Sequence, residues 1–160
     1  MKKIIMPLLL ILLLMANHLN IFAILNPTNT DLLEREIYIR VKEGLHIRVE
    51  LFNQILEGTE IDTSEVKKKL RYYLEDPLLT ADIETFKELR TDGIDHEFIE
   101  DFKIEELNVV EQEGDTVQLE VAITWFLQGM EEFRQEKTLY HMVMVRKGED
   151  WFLKDYYPIS

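Results

Sequence analysis

A chain of 160 residues with a formal charge of −13 at pH 7 has room for one domain and an appendage, and a domain of that size needs no covalent staple. It contains no cysteine, which excludes disulfides, thiolate metal sites and a cysteine nucleophile. The acidic balance disfavours nucleic acid and anionic membrane surfaces, since both repel it.

Residues 1–27 read as a targeting segment with a short linker. Lys2 and Lys3 form a positive start, and residues 4–16 are almost pure hydrocarbon apart from Pro7. That is the length of a signal-peptide apolar region and short for a membrane span. Asn17, His18 and Asn20 interrupt it, and residues 21–25 are apolar again. Taken together, residues 4–25 make about 33 Å of helix at ~1.5 Å per residue, enough to cross a bilayer. No clean small-x-small cleavage site stands at Ala16 or Ala23, so a cleaved signal and a retained anchor both stay open. Either one places residues 28–160, a single domain, outside the cytoplasmic membrane.

Residues 30–58 carry two overlapping patterns. Leu33, Ile37, Val41, Leu45, Val49, Phe52 and Leu56 recur at spacings of four and three, a helical stripe. Between Ile37 and Leu51 the same residues also alternate around Lys42-Glu43-Gly44, as a β-hairpin would. The helix accounts for more of the segment and is the preferred reading, with Gly44 costing it about 1 kcal/mol relative to alanine. Asp62 with Glu65 three residues on resembles a capping box, and Val66, Leu70, Tyr73 and Leu74 give a second helix ended by Asp76-Pro77. Thr80 opens a third helix, with Ile83, Phe86 and Leu89 on one face.

From residue 102 onward the period changes to two. Val117, Leu119, Val121, Ile123, Trp125 and Leu127 occupy alternate positions, a strong strand signal. Residues 102–112 are extended in character before it. Residues 137–146 alternate more weakly, with Leu139, His141, Val143 and Val145 on one side and Tyr140, Met142 and Met144 on the other. Gly114-Asp115 and Gly148-Glu149 are tight turns, and Trp151 starts a last strand in which Asp155 breaks the apolar face. Turns one strand length apart imply an antiparallel meander, so the predicted class is α+β: N-terminal helices packed on a curved antiparallel sheet, behind a hydrophobic export segment.

This order of elements, with Glu113-Gly114-Asp115 leading into the long strand of Trp125 and Gly148-Glu149-Asp150-Trp151 leading into Leu153-Lys154-Asp155-Tyr156, resembles the cystatin-like α+β roll of the nuclear-transport-factor-two-like superfamily. The resemblance covers residues 30–160. It implies a cone-shaped cavity between helices and sheet, which in ketosteroid isomerase houses an acid–base carboxylate and a hydrogen-bond donor. It also implies a choice among isomerases, dehydratases, transport factors, secretion-assembly components and simple binding domains. The isomerase motif does not align with this chain, so no catalytic residue is carried over, and fold alone does not choose a function.

The residues themselves offer few chemistries. The four histidines share no short spacing, and neither an HExxH nor an EF-hand pattern occurs. The six glycines stand singly, so no phosphate loop exists, and there is no GxSxG elbow. No metal site and no cofactor are therefore expected. Tyr72, Tyr73, Trp125 and His141 are candidates to line a ligand pocket, His141 because a histidine between Leu139 and Val143 could act as a base near neutral pH. Aromatics at such positions more often fill a core. Tyr140, Met142 and Met144 are candidates for a partner surface, since Met and Tyr suit adaptable interfaces; burial in a two-sided core is the plainer reading of the same residues. The preferred function is a non-enzymatic binding or assembly domain outside the membrane, its partner another protein of a cell-envelope assembly. The alternative is a pocket for a small apolar ligand, with or without isomerase-like chemistry.

Overall fold

The structure, a computed structural model, describes residues 29–60, 62–89, 97–129 and 132–159. The export segment expected in residues 1–27 lies outside them. Among the described residues no helix is long and apolar enough to cross a membrane. The chain divides into two compact units, Met1–Arg35 and Glu36–Ser160, and the sheet belongs to the second.

Residues 29–56 resolve as helix, not hairpin: α1 spans Asn29–Leu56. Its buried stripe is Ile37, Val41, Leu45, Leu51 and Ile55, one face of a 3.6-residue period. Helix α2 spans Thr63–Leu70 and α3 spans Leu78–Leu89. Asp62 stands at the N-cap of α2, but its side chain makes no capping hydrogen bond; it accepts one from Ser64 Oγ. The expected reciprocal capping box is therefore not formed.

Four strands follow, β1 (Phe98–Glu113), β2 (Thr116–Gln128), β3 (Phe133–Lys147) and β4 (Asp150–Pro158). They pair in sequence order as an antiparallel sheet. Gly114 and Gly148 adopt φ of 57° and 66° in the two tight turns, a region open to glycine at no steric cost.

Register decides which side of each strand is buried. Val117 pairs with Met144, Leu119 with Met142 and Val121 with Tyr140, so the even positions of β3 share the wholly apolar face of β2. That face packs against the helices, and Met142 and Met144 are 0% and 1% exposed. They are core residues, which removes them from any partner surface. The odd positions of β3, Leu139 and His141 among them, lie on the opposite face.

The two edges of the sheet are treated differently. β1 shifts register at three places, between Ile99 and Asp101, Ile104 and Glu106, and Val109 and Glu111, and it carries many carboxylates. Bulges and charge on an edge strand oppose pairing with another chain. β4 is covered from within: Leu153 N donates to Tyr73 O at 2.8 Å, and Glu75 N donates to Leu153 O at 2.9 Å. β4 also contains an irregularity next to Asp155, the residue that breaks its apolar face. Met144 pairs with Leu153 and Val143 with Asp155, leaving Lys154 as the extra residue of a bulge. The bulge turns Tyr156, rather than Asp155, onto the same side as Leu153.

Candidate functional site

A cavity of about 310 Å³ lies between α1, α3 and the sheet, at the small end of the ~300–1,000 Å³ typical of ligand pockets. Its walls are mostly apolar and aromatic. Leu45, Val49 and Phe52 come from α1, Thr85 and Phe86 from α3, and Ile99, Trp125, Tyr140 and Tyr156 from the four strands. Two charged residues complete it, Arg48 of α1 and Asp82 of α3.

These two residues occupy core positions on their helices. Arg48 follows Leu45 by three residues and precedes Leu51 by three, both of them buried. Asp82 lies four residues from both Leu78 and Phe86, also buried. Helical periodicity therefore turns both side chains inward, and their side chains are only 15% and 8% exposed. An isolated charge there would be costly, so each must find a partner. Arg48 Nε donates to Asp82 Oδ2 at 2.6 Å and Nη2 donates to Oδ1 at 2.9 Å, the two-point fork that a guanidinium and a carboxylate favour. Nη2 also donates to the Tyr156 hydroxyl at 2.8 Å, and the guanidinium carbon sits 4.2 Å from the Tyr156 ring centroid. Burial works against the Arg48 charge, but Tyr156 and Asp82 outweigh it, and the guanidinium is held charged more firmly than in water.

An aromatic row continues from this pair. Tyr156 and Tyr140 have ring centroids 5.5 Å apart; Trp125 meets Tyr140 edge-on at 6.2 Å and Phe102 at 5.7 Å. Trp125 Nε1 donates to the Tyr140 hydroxyl at 3.0 Å. Burial pushes the Tyr140 phenol up, partly offset by that indole donor, so the hydroxyl is neutral throughout the physiological range. Asn53, in α1's last turn, joins the helix to β1: its amide donates to Ile99 O at 2.7 Å and accepts from Ile99 N at 3.1 Å. The side chain thus stands in for a neighbouring strand and locks α1 to β1.

The residues singled out in the sequence fall in three places. Trp125 lines the cavity, and so does Tyr140, which was expected on a partner surface. His141 lies on the opposite face of the sheet, where its ring rests 5.1 Å from that of Tyr157; it does not reach the cavity. Tyr72 and Tyr73 line a different, more open hollow of about 460 Å³ with Ile47, Glu50, Lys68 and Lys69. Tyr72 is 58% exposed there, and Lys69 is spent on Glu50 at 3.1 Å. That hollow holds no buried polar group awaiting a partner, so despite its size it is the weaker candidate. Arg48, Asp82 and Tyr156 were missed. For Arg48 and Asp82 the signal was present as opposite charges interrupting two apolar helical stripes.

Chemically the site can bind but is poorly placed to catalyse. Both Asp82 oxygens are committed to Arg48, and moving Asp82 to take a proton would leave a buried guanidinium unpaired. Among the described residues no group of three His, Asp or Glu could hold a metal ion.

No family model and no curated protein matches the chain. Among solved structures it is similar to the solution NMR structure of a de novo β-sheet design protein, at 18% identity over 78% of this chain and 88% of that one, with a TM-score of 0.39. A likeness that low carries no argument.

Proposed function

We propose that this chain is a non-enzymatic binding domain of the cystatin-like roll type that holds a small, largely apolar molecule between its helices and its sheet. The observation that carries the reading is the 310 Å³ cavity itself, with an aromatic wall and one largely buried ion pair. Mostly apolar and aromatic walls with a few polar groups are the usual lining of small-molecule sites. The leader-like character of residues 1–27 in the sequence supports a reading in which this binding occurs outside the cytoplasmic membrane, with the domain either released or anchored.

Thr85 gives a clean test. It lines the cavity yet is itself exposed, so Thr85→Trp fills the space without disturbing the core. On this reading toluene binds the wild-type chain saturably, and the variant loses that binding while keeping its melting temperature. Equal toluene binding by both chains would sink the reading.

A second reading, docking in a cell-envelope assembly, rests on the outer face of the sheet. Phe133, Leu139 and Tyr157 are exposed there, and Phe126 stacks on Phe133 at 6.2 Å. Exposed apolar clusters of this kind mark interaction surfaces. Replacing Leu139 and Tyr157 with lysine would then remove an envelope protein that co-purifies with the chain; unaltered co-purification would exclude this face.

A further inference from the structure

The register lays out the face of the sheet turned away from the helices. Leu139 and His141 of β3 meet Ala122 and Glu120 of β2, and His141 meets Tyr157 of β4. Leu139 and Tyr157 are 40% and 51% exposed in this apolar band. Beside the band, β1 sets a row of carboxylates: Glu106 opposite Ala122, Glu111 opposite Gln118 and Glu113 opposite Thr116. Asp155 adds another at β4, opposite Val143. Lys103 and Lys137 share this face through their pairing with Thr124, but Lys103 is neutralised by Glu105 at 2.8 Å. The outer face is therefore apolar and acidic together.

The complement of that surface lies on α2. Lys67, Lys68 and Arg71 are exposed there and make no ion pair among the described residues. Beside them stands Tyr72, 58% exposed, with the Arg71 guanidinium carbon 5.9 Å from its ring centroid. A run of lysines alone is an ordinary solvated face, but Tyr and Arg are the residue types that dominate interface energetics. α2 belongs to the helical side of the molecule, where Lys69 pairs with Glu50 of α1. One chain cannot bring this patch onto its own outer face; two chains can.

We infer that the outer face of the sheet takes the α2 patch of a second copy of this chain. Lys67, Lys68 and Arg71 of one copy meet the β1 carboxylates of the next, and Tyr72 meets Leu139 and Tyr157. The inference goes beyond both readings above: the cavity plays no part, and a copy of the chain stands where an envelope protein was placed. Charge disfavours the symmetric alternative, because pairing two outer faces would set one row of carboxylates against another. The net charge of −13 also repels whole copies, but at physiological ionic strength screening confines such forces to about 8 Å, so the charges at the contact decide.

Sedimentation velocity of the full chain in a mild detergent, over a concentration series, tests this. A head-to-tail contact leaves an open patch and an open face at its ends, so it does not close at two copies. The protein mass should grow past the dimer as concentration rises. A chain that stays monomeric would overturn the inference and leave the outer face to an envelope protein. A mass that levels off at the dimer would overturn it in favour of a symmetric contact. Charge exchange then locates the surfaces. One variant carries Lys68→Glu with Arg71→Glu, and another carries Glu106→Lys with Glu111→Lys, all at exposed positions. Each alone should associate about tenfold more weakly, because like charges then face each other. An equal mixture should recover association, since the acidic α2 of the first meets the basic face of the second. Unchanged association of either variant, or a mixture no stronger than its parts, would overturn the inference. Tyr72→Ala alters no charge and gives an independent reading should a charge variant fail to melt like wild type. It should also weaken association, and unchanged association would overturn the inference.

Discussion

Arg48 and Asp82 tie α1, α3 and β4 to one another through three hydrogen bonds. Breaking a buried pair by removing one partner is far more damaging than replacing both. Arg48→Met should therefore destabilise the fold by about 3–5 kcal/mol in urea denaturation, while the Arg48→Met, Asp82→Leu double variant stays within ~1 kcal/mol of wild type or exceeds it. Glu75 gives a smaller effect with a defined sign. Its carboxyl is held below the usual range because the Lys147 ammonium hydrogen-bonds it, against a smaller opposing effect of burial. A carboxylate lowered in the folded state stabilises above its unfolded pKa, about 4.3 for Glu, and loses that contribution as pH falls through the folded value. The pair is partly exposed, so Glu75→Gln should cost less than ~1 kcal/mol at pH 7. That deficit should vanish as pH drops below the carboxylate range. These residues were hard to read in the sequence because a charge inside an apolar stripe looks like its solvated neighbours. Only the coincidence of two such positions, with opposite signs on two helices, distinguishes them.

The elements themselves were more legible, since each has a long, consistent period. β2 was evident from its alternate apolar set, and the meander from glycines at both turns. The helix–hairpin ambiguity of residues 37–51 arose because β-branched residues at spacings of two and four satisfy both periods; burial of Ile55, beyond any hairpin, favours helix. What the sequence lacked was the register between strands. Without it both faces of β3 stayed open: burial of Met142 and Met144 agrees with the plainer core reading, while Tyr140 and His141 fall on the sides opposite to their candidate roles. Gly44 is buried in α1, and a Cβ there would make ordinary contact, 3.5 Å, with Tyr73 Cβ. Gly44→Ala should thus raise stability by about 0.5–1 kcal/mol through the helix backbone, read as a higher melting temperature. β4 depends on Trp151, 2% exposed, whose Nε1 finds no hydrogen-bond partner among the described residues. Trp151→Ala should cost about 3–5 kcal/mol. Trp151→Phe should cost less, because it also removes an unsatisfied buried donor. Thermal melts of both variants compare them, and an alanine variant melting within a few degrees of wild type would show that the sheet does not rely on β4.

Taken whole, the chain is strongly acidic, with −13 formal charge, yet its cavity balances one cation against one anion. That contrast separates the surface, which repels anions at long range, from a neutral interior suited to an uncharged ligand. Composition reveals the first of these; the second depends on which side chains three distant segments bring together, and no local pattern records it. The two tryptophans report on the central claim separately, because Trp125 lines the cavity and Trp151 does not. Their indole N–H resonances in a ¹⁵N-labelled full chain can be followed as toluene is added. The account predicts that the Trp125 resonance moves saturably, as its hydrogen bond to Tyr140 adjusts to the ligand, while that of Trp151 stays in place. A Trp125 resonance that does not move, with shifts instead at the backbone amides of Leu139, His141 and Tyr157, would contradict it and place binding on the outer face of the sheet.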